Sequence, residues 1–405
     1  MALVVTLYHC TAFADSYNTP RYFLLATLCL ALSLTQTPKR GMLSIIGLVY
    51  FIALCFFSLW AFRPECFVGT KITHFAGVLP TALVGICYSY SICDDWEKIA
   101  DAFIAACVIA SLGAYLGFGE PHGDFFEGRA YSFIGSPVWL AGTLAMAIPL
   151  CIGRGHGAWA IVPMVAAIIL TQSRSGLLAG AVGALSYYFM RGYVSLKGFL
   201  ILCGIALAMT ITMFSGLRGT GLSDKGRWHM GRLAIKSALD HPLGVGPERF
   251  GWVLKTYRDK PMEDDLGDKW TNGHSHNHVL EALVTGGPIF LLVHLALMGA
   301  IGLFLLRARN PNVFGAAMAL GAFGMMQPTP LVLKALLASL LACLEAYPRH
   351  IPDAKPWFTA FALAAFLASL GAMTMAKIFR NGQIHGLGQM MVDSYDYLPG
   401  SKNDR

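Results

Sequence analysis

Apolar stretches of membrane-spanning length recur along the whole chain, separated by shorter polar segments. A transmembrane helix needs about 20 apolar residues, and these stretches lack the alternation expected of a transmembrane β-strand. The pattern predicts an all-α polytopic membrane protein with about twelve transmembrane helices. Alternatively, the stretches 312–327 and 331–347 form a single helix that is broken around Gln327-Pro328-Thr329-Pro330. The candidate stretches, of which the first is short for a crossing, are 2–13, 21–36, 42–62, 72–92, 98–118, 131–152, 157–171, 175–190, 197–215, 279–306, 312–327, 331–347 and 356–379.

One polar segment, residues 216–277, is long enough to form a soluble subdomain. Apolar residues at i, i+3 and i+4 spacing predict an amphipathic helix over 227–239 and a second over 248–258, on the bundle or at the lipid interface. Asp240-His241-Pro242 ends the first helix, and Gly244-Val245-Gly246-Pro247 predicts a turn. The predicted apolar faces contain Met230, Leu233, Ala234, Ala238 and Leu239 in the first helix, and Phe250, Val253, Leu254 and Tyr257 in the second.

This pattern divides the chain into four parts. Residues 1–215 form an N-terminal transmembrane bundle, 216–277 the helical subdomain, 278–380 the C-terminal transmembrane helices, and 381–405 a short tail. Only 13% of the 405 residues are charged, against about 25% in soluble domains. Nothing in the modest net charge of +7 indicates nucleic-acid binding, and the ten scattered cysteines, without a CxxC pair, support neither a disulfide framework nor a cysteine-based zinc site.

The basic residues indicate an orientation, because cytoplasmic loops of membrane proteins are enriched in Lys and Arg. The loops with Lys39-Arg40, Lys98, Arg154, Arg191 with Lys197, and Arg307 with Arg309 alternate along the chain and are predicted to be cytoplasmic, with Arg63 and Lys71 as exceptions. The opposite set contains 120–129, 172–175 and the subdomain. In a bacterium these loops would face the periplasm.

Three of the twelve histidines, His274, His276 and His278, lie where the subdomain meets the apolar run from Val279. They have three interpretations. They are interfacial side chains hydrated at the membrane surface, or ligands of a metal, although no cysteine or adjacent carboxylate completes such a site. Alternatively one of them is a general base, since histidine titrates near neutral pH, with Asn277 orienting the ring or a substrate.

Three arginines are predicted on the same side as these histidines. Arg129 ends one loop, Arg174 lies in the short turn Ser173-Arg174-Ser175-Gly176, and Arg227 begins the first amphipathic helix. An arginine at a membrane boundary often only extends to lipid phosphate. A guanidinium also binds phosphate with two hydrogen bonds and keeps its charge, which suits a diphosphate leaving group. The acidic residues Glu263, Asp264, Asp265 and Asp268 alternatively form a metal site or a solvated loop.

The ordered motifs resemble the O-antigen ligase and Wzy-type polymerase superfamily. In that family a His-Asn begins the helix after the large periplasmic loop, as His276-Asn277 does here, with Leu280 and Gly287 at the matching spacings. Upstream, Arg227 precedes His241-Pro242, Leu243 and Gly244-Val245-Gly246 at family spacing. Ser173-Arg174-Ser175-Gly176 is similar to a family turn, and Arg129 with Pro137 and Ala141 to another segment. Phe290 and Gly231 depart from the pattern.

The resemblance implies a GT-C-type helical fold and metal-independent glycan transfer, without a cofactor, from undecaprenyl diphosphate at the periplasmic face of the bacterial inner membrane. The expected acceptor is lipid A-core, as for an O-antigen ligase. It implies His276 as base and Arg227 with Arg174 as diphosphate ligands. Further candidates for substrate binding are Arg129, Asn277, His274, His278, Arg232 and Arg249. A polymerase, a protein O-oligosaccharyltransferase and, in a different class, a membrane transporter remain alternatives.

Overall fold

A computed structural model describes residues 18–60, 68–92, 95–117, 129–130, 132–134, 136–215, 222–247, 249–266, 274–345, 349–350 and 352–380. Its described elements are almost all helical. In chain order they are α1 (Asn18–Thr35), β1 (Lys39–Arg40), α2 (Leu43–Trp60), α3 (Val68–Ser91), α4 (Trp96–Tyr115), α5 (Pro137–Arg154), α6 (Ala158–Leu170), α7 (Arg174–Met190), α8 (Leu196–Ser215), α9 (Leu222–Asp240), α10 (Phe250–Tyr257), α11 (Lys260–Leu266), α12 (His278–Ala308), α13 (Pro311–Gly324), α14 (Leu331–Ala342), β2 (Arg349–His350), a 3-10 turn (Pro352–Ala354) and α15 (Lys355–Arg380).

The helix positions follow the apolar pattern. Each predicted stretch from 21–36 to 356–379 forms a helix, whereas the stretch 2–13 lies outside the described residues. Within the described part, α4, α5 and α12 are long and apolar enough to cross a membrane, and six further apolar helical segments are shorter. The architecture is therefore that of an all-α membrane protein. The number of about twelve crossings stays a prediction.

Small residues allow α5, α7 and α13 to pack closely at the centre of the bundle. A Cβ on Gly183 of α7 would lie 2.8 Å from the Cβ of Ala319 on α13, and the ring of Phe323 on α13 lies directly over Gly142 on α5. Gly176, near the start of α7, faces Ala141, near the start of α5. The starts of α5 and α7 are thus beside the end of α13, and this region is called the histidine end below.

The opposite end of the bundle, called the basic end, collects arginines from separate loops. Arg154, the last residue of α5, forms ion pairs with Glu97 at 2.6 Å and Asp101 at 2.9 Å on α4. Arg191 and Arg309, which follow α7 and α12, line one cavity there. All three come from loops predicted to be cytoplasmic. The structure therefore groups these loops on one end, while the side of the membrane stays a prediction.

The subdomain has its own apolar core. Met230, Leu233 and Ala234 of α9 pack against Phe250 and Val253 of α10. The two predicted amphipathic helices are confirmed in position, with two corrections. Leu239, expected on the buried face, is 76% exposed, because the buried face of α9 is the one that contacts α10 and α12. A third short helix, α11, forms where the sequence suggested only a metal site or a solvated loop.

The subdomain is joined to α12 by backbone contacts at a break in that helix. Gly286 and Gly287 have non-helical backbone angles. Val245 N–H donates to the Val284 carbonyl at 2.9 Å, and Gly246 N–H donates to the Thr285 carbonyl at 2.9 Å. At a break in a helix, a carbonyl loses its intrahelical hydrogen-bond partner and needs another donor. The predicted turn at 244–247 therefore fills the break.

Glycine is required at both surfaces of this junction. Gly287 has φ +64°, and a Cβ there would overlap the carbonyl of Pro242. Gly244 has φ +73°, and a Cβ there would overlap the backbone at Gly286. A left-handed backbone costs other residues about 1–2 kcal/mol even without a steric overlap. Both glycines are therefore required by the same close approach between the backbone of the turn and the backbone of α12.

We predict that Gly287→Ala lowers the thermal unfolding temperature of the detergent-purified protein. Conformational strain adds to displacement of the Pro242 carbonyl, so the loss of stability is expected to exceed about 2 kcal/mol. Gly299→Ala is the matched control, because Gly299 lies on the same helix with open space around its Cα. Equal unfolding temperatures for the two variants would contradict the proposed role of the junction.

Candidate functional site

His276 occupies the turn that leads into α12, in a backbone conformation that is unusual for its residue type. Its φ is +55°, which is rare and unfavourable for a residue other than glycine. Its Nδ1 is 2.8 Å from the Oε1 of Gln327. A carbonyl oxygen only accepts, so Nδ1 carries the proton and Nε2 keeps its lone pair. In this arrangement Nε2 is the ring nitrogen that can accept a proton.

The environment of His276 favours the neutral imidazole. Burial lowers its pKa below the ordinary value, while the hydrogen bond to Gln327 has the opposite effect. The positive charge of Arg227 and the proximity of His274 lower the pKa further. The side chain is therefore neutral at pH 7 and able to accept a proton.

Asn277 fixes the border between the subdomain and the membrane helix. It is the N-cap of α12, and its Oδ1 accepts from the N–H groups of Val279 at 2.9 Å and Leu280 at 3.2 Å. Its Nδ2 donates to the Met325 carbonyl at 2.9 Å. The amide thus ties the start of α12 to the segment after α13. Its predicted contact with substrate stays a prediction.

Gln327 is the site residue that the sequence reasoning did not identify. It lies three residues beyond α13, in the break before α14, and only 7% of it is exposed. In the sequence, Gln327-Pro328-Thr329-Pro330 marks only an interruption in the apolar pattern. The polar side chain within a proline-containing break could have indicated a site residue. Breaks in membrane helices occur where the backbone lines a cavity or is buried in protein.

The other two histidines have different surroundings. His274 is half-buried and influences His276 electrostatically. The His278 ring lies against Gly324, where a Cβ would overlap its Nδ1, and its centroid is 5.3 Å from that of His294. His294 in turn has its Nδ1 3.4 Å from the Tyr50 hydroxyl. His278 is therefore packed within the bundle, and substrate binding by either His274 or His278 stays a prediction.

Arg227 faces His276 from the subdomain. It is half-buried on α9, one helical turn before Gly231, where a Cβ would lie 3.8 Å from Leu280 on α12. This packing brings the first part of α9 beside the start of α12. Arg227 is consequently close enough to lower the pKa of His276.

Arg129 and Arg174 meet at the turn between α6 and α7, at the histidine end. Arg129 Nε donates to the Thr171 carbonyl at 2.7 Å. Arg174 is the first residue of α7, and Ser173 is the N-cap, with its hydroxyl accepting from Gly176 N–H at 3.2 Å. The turn therefore brings two arginines to the same end of the bundle as His276.

Arg232 and Arg249 are engaged within the subdomain. Arg232 binds Asp259 with two hydrogen bonds, of 2.6 and 2.7 Å, and its charge holds the pKa of Asp259 below the ordinary value. Arg249 is only 4% exposed and begins α10. These surroundings indicate structural roles for both, and the expected contact with substrate stays a prediction.

A family model described as O-antigen ligase matches residues 159–295, about a third of the chain. This segment is therefore similar to the O-antigen ligase/Wzy superfamily. Members of this superfamily are glycosyltransferase-like ligases and polymerases, which supports an enzymatic function. The matched segment includes His276, Arg227 and Arg174, whereas Arg129 and Gln327 lie outside it. No curated protein matches the chain.

The junction described above joins two motifs of the superfamily pattern. Gly287 follows His276 by eleven residues, and Gly244-Val245-Gly246 follows His241-Pro242. In the structure the turn sits in the break of α12, with the Pro242 carbonyl against Gly287. The motifs therefore position α9, and with it Arg227, relative to His276.

One of the acidic residues considered as a metal site, Asp265, contacts basic side chains of the same subdomain. Asp265 accepts from Lys225 at 2.6 Å and from His229 at 2.9 Å, and these contacts hold its pKa below the ordinary value. Asp268 lies outside the described residues. Among the residues that are described, no group of His, Cys, Asp and Glu has the arrangement of a metal site.

We predict that the Arg232–Asp259 pair stabilises the subdomain. The single variants Arg232→Gln and Asp259→Asn and the double variant form a double-mutant cycle, whose coupling is expected to be about 0.5–1 kcal/mol because both groups are partly exposed. Thermal unfolding of the purified protein measures it. A coupling of zero would show that the pair contributes no stability and would leave Arg232 available for substrate.

Proposed function

We propose that the chain is an O-antigen ligase, which transfers a glycan from undecaprenyl diphosphate to a sugar hydroxyl of lipid A-core. The observation that carries the proposal is His276, whose Nδ1 is held by Gln327 and whose pKa is lowered by burial and by the charge of Arg227. The similarity to the superfamily supports a lipid-linked glycan donor in general terms. The proposal also includes a GT-C-type fold, about twelve crossings, and a site that faces the periplasm from the bacterial inner membrane.

In this mechanism Nε2 of His276 accepts the proton of the acceptor hydroxyl. The acceptor oxygen forms a bond to the anomeric carbon of the glycan as the bond from that carbon to the diphosphate oxygen breaks. The diphosphate leaves with the bonding electron pair, and Arg227 and Arg174 neutralise its charge. This chemistry requires no metal, so transfer is expected to persist in EDTA.

Arg129 has a supporting place in this proposal. Its Nε holds the Thr171 carbonyl in the turn that carries Arg174. We propose that it contributes positive charge for the donor and also fixes the position of Arg174. The proposed substrate contacts of Asn277, His274 and His278 are secondary to those of the two diphosphate ligands.

The decisive experiment reconstitutes the purified protein with a polymerised lipid-linked glycan and lipid A-core. Formation of the conjugate supports the ligase. Elongation of lipid-linked single repeats without conjugate formation identifies a polymerase instead. Absence of both products, with glycan flux in proteoliposomes, would identify a transporter and contradict an enzymatic role.

We predict that His276→Ala reduces the rate of transfer by about 10²–10⁴-fold, the usual contribution of a general base. The protein is expected to remain inserted in the membrane, because the side chain is not part of an apolar core. His229→Ala is the comparison, since it removes another buried histidine, on α9, that pairs with Asp265. Wild-type transfer by His276→Ala would refute the assignment of the base.

We predict that Gln327→Glu shifts the acidic limb of the pH–rate profile to higher pH. A carboxylate accepts the same hydrogen bond but stabilises the imidazolium, so it raises the pKa of His276. In the wild type, activity is expected to fall only as the pH drops through a value below about 6.5, because the pKa of His276 is lowered. Gln327→Leu should decrease kcat without this upward shift. An unchanged profile for Gln327→Glu would exclude control of the base by this residue.

A further inference from the structure

An open cavity of about 270 Å³ lies at the basic end of the bundle, where the end of α7 meets the junction of α12 and α13. Its wall includes Gly153, Tyr187, Arg191, Arg309, Asn310 and Asn312. α13 extends for 14 residues between this cavity and the segment that holds Gln327. At about 1.5 Å per residue, the cavity is roughly 20 Å from the proposed catalytic histidine. It is therefore separate from the site described above.

Two positive charges border this cavity without a carboxylate to balance them. Arg191 and Arg309 are both exposed, and in the described part of the chain neither forms an ion pair. The nearby Arg154 differs, because Glu97 and Asp101 bind it. The Arg191 guanidinium lies 5.9 Å from the centroid of the Tyr187 ring, and Arg309 is held in a left-handed conformation at the end of α12. The cavity is thus suited to an anion.

A buried amide closes one part of the cavity wall. Asn312 is only 9% exposed, and its Oδ1 packs directly on the backbone of Gly153, where a Cβ would overlap it. The amide oxygen therefore belongs to the packed wall, and the two arginines are the groups that an occupant can reach.

The surface beside the cavity is apolar. Leu303 and Leu306, on the last turns of α12, are 59% and 47% exposed, and Tyr193, just after Arg191, is 73% exposed. In a membrane protein such residues contact lipid chains, and aromatic side chains favour the headgroup level. A molecule with an anionic head and acyl chains therefore matches both the cavity and its surroundings.

We propose that this cavity binds the headgroup of an anionic phospholipid such as phosphatidylglycerol. Its phosphate lies between Arg191 and Arg309. Basic pockets between membrane helices on the cytoplasmic side commonly hold anionic headgroups. By the distribution of basic loops, the lipid belongs to the cytoplasmic leaflet.

The test measures lipid binding to the full-length protein in detergent by native mass spectrometry, with thermal unfolding as a second readout. The probes are phosphatidylglycerol, phosphatidylcholine and inorganic phosphate. We expect saturable binding of phosphatidylglycerol at one site, and neither binding nor a change in unfolding temperature with phosphatidylcholine or phosphate. Equal binding of inorganic phosphate would indicate a site for the free anion and overturn the lipid assignment.

Variants assign the contacts. Combining Arg191→Gln with Arg309→Gln is expected to weaken phosphatidylglycerol binding by at least about tenfold, because charge-assisted hydrogen bonds are lost. Arg307→Gln is the matched control, since Arg307 is exposed on the same helix but does not line the cavity. An equal loss in Arg307→Gln, or no saturable binding by the wild type, would refute a defined site.

Discussion

The backbone junction between the 244–246 turn and the break in α12 is the contact on which the proposed site depends. The break leaves the carbonyls of Val284 and Thr285 without helical partners, and the turn supplies their hydrogen bonds. Gly244 and Gly287 permit the approach. Because the turn follows α9 directly, the same junction sets the position of α9 along α12. Arg227 reaches the vicinity of His276 as a consequence.

A second break completes the environment of His276. The chain leaves the helical conformation after α13 and resumes it at α14, and this interval provides Gln327 for the histidine and the Met325 carbonyl for Asn277. Both contacts come from the same segment. One fixes the imidazole ring of His276, and the other fixes the start of α12. The left-handed backbone of His276 is therefore maintained by partners on both sides, in keeping with the concentration of strained residues at functional sites.

The two ends of the bundle have different electrostatic character. At the histidine end, Arg129 binds the short turn from which Arg174 begins α7, and Arg227 approaches from the subdomain. At the basic end, Arg154 is neutralised by carboxylates, whereas Arg191 and Arg309 border a cavity. This separation is consistent with two distinct phosphate-containing ligands in the two proposals, the lipid diphosphate donor and a membrane phospholipid.

Local spacing in the sequence determined the helices and the ordered motifs. A continuous apolar run specifies a membrane helix by itself, and i, i+3, i+4 spacing specifies an amphipathic one, so α9, α10 and the long helices were predictable. The resemblance to the superfamily also followed from motifs at fixed distances, among them His276 with Gly287, and the family model matches the segment that contains them. α11 was missed, because its acidic sequence lacks an apolar stripe.

The tertiary structure alone decided which polar groups meet. Gln327 and His276 are 51 residues apart, and no local pattern links a glutamine in one helix break to a histidine before another helix. Arg232 and Arg227 lie on the same helix, yet only packing assigns one to Asp259 and brings the other toward His276. Leu239 fits the periodicity of the buried face but remains exposed, since burial depends on where α10 and α12 lie. Periodicity thus defines elements, whereas side-chain partners depend on contacts between residues distant in the chain.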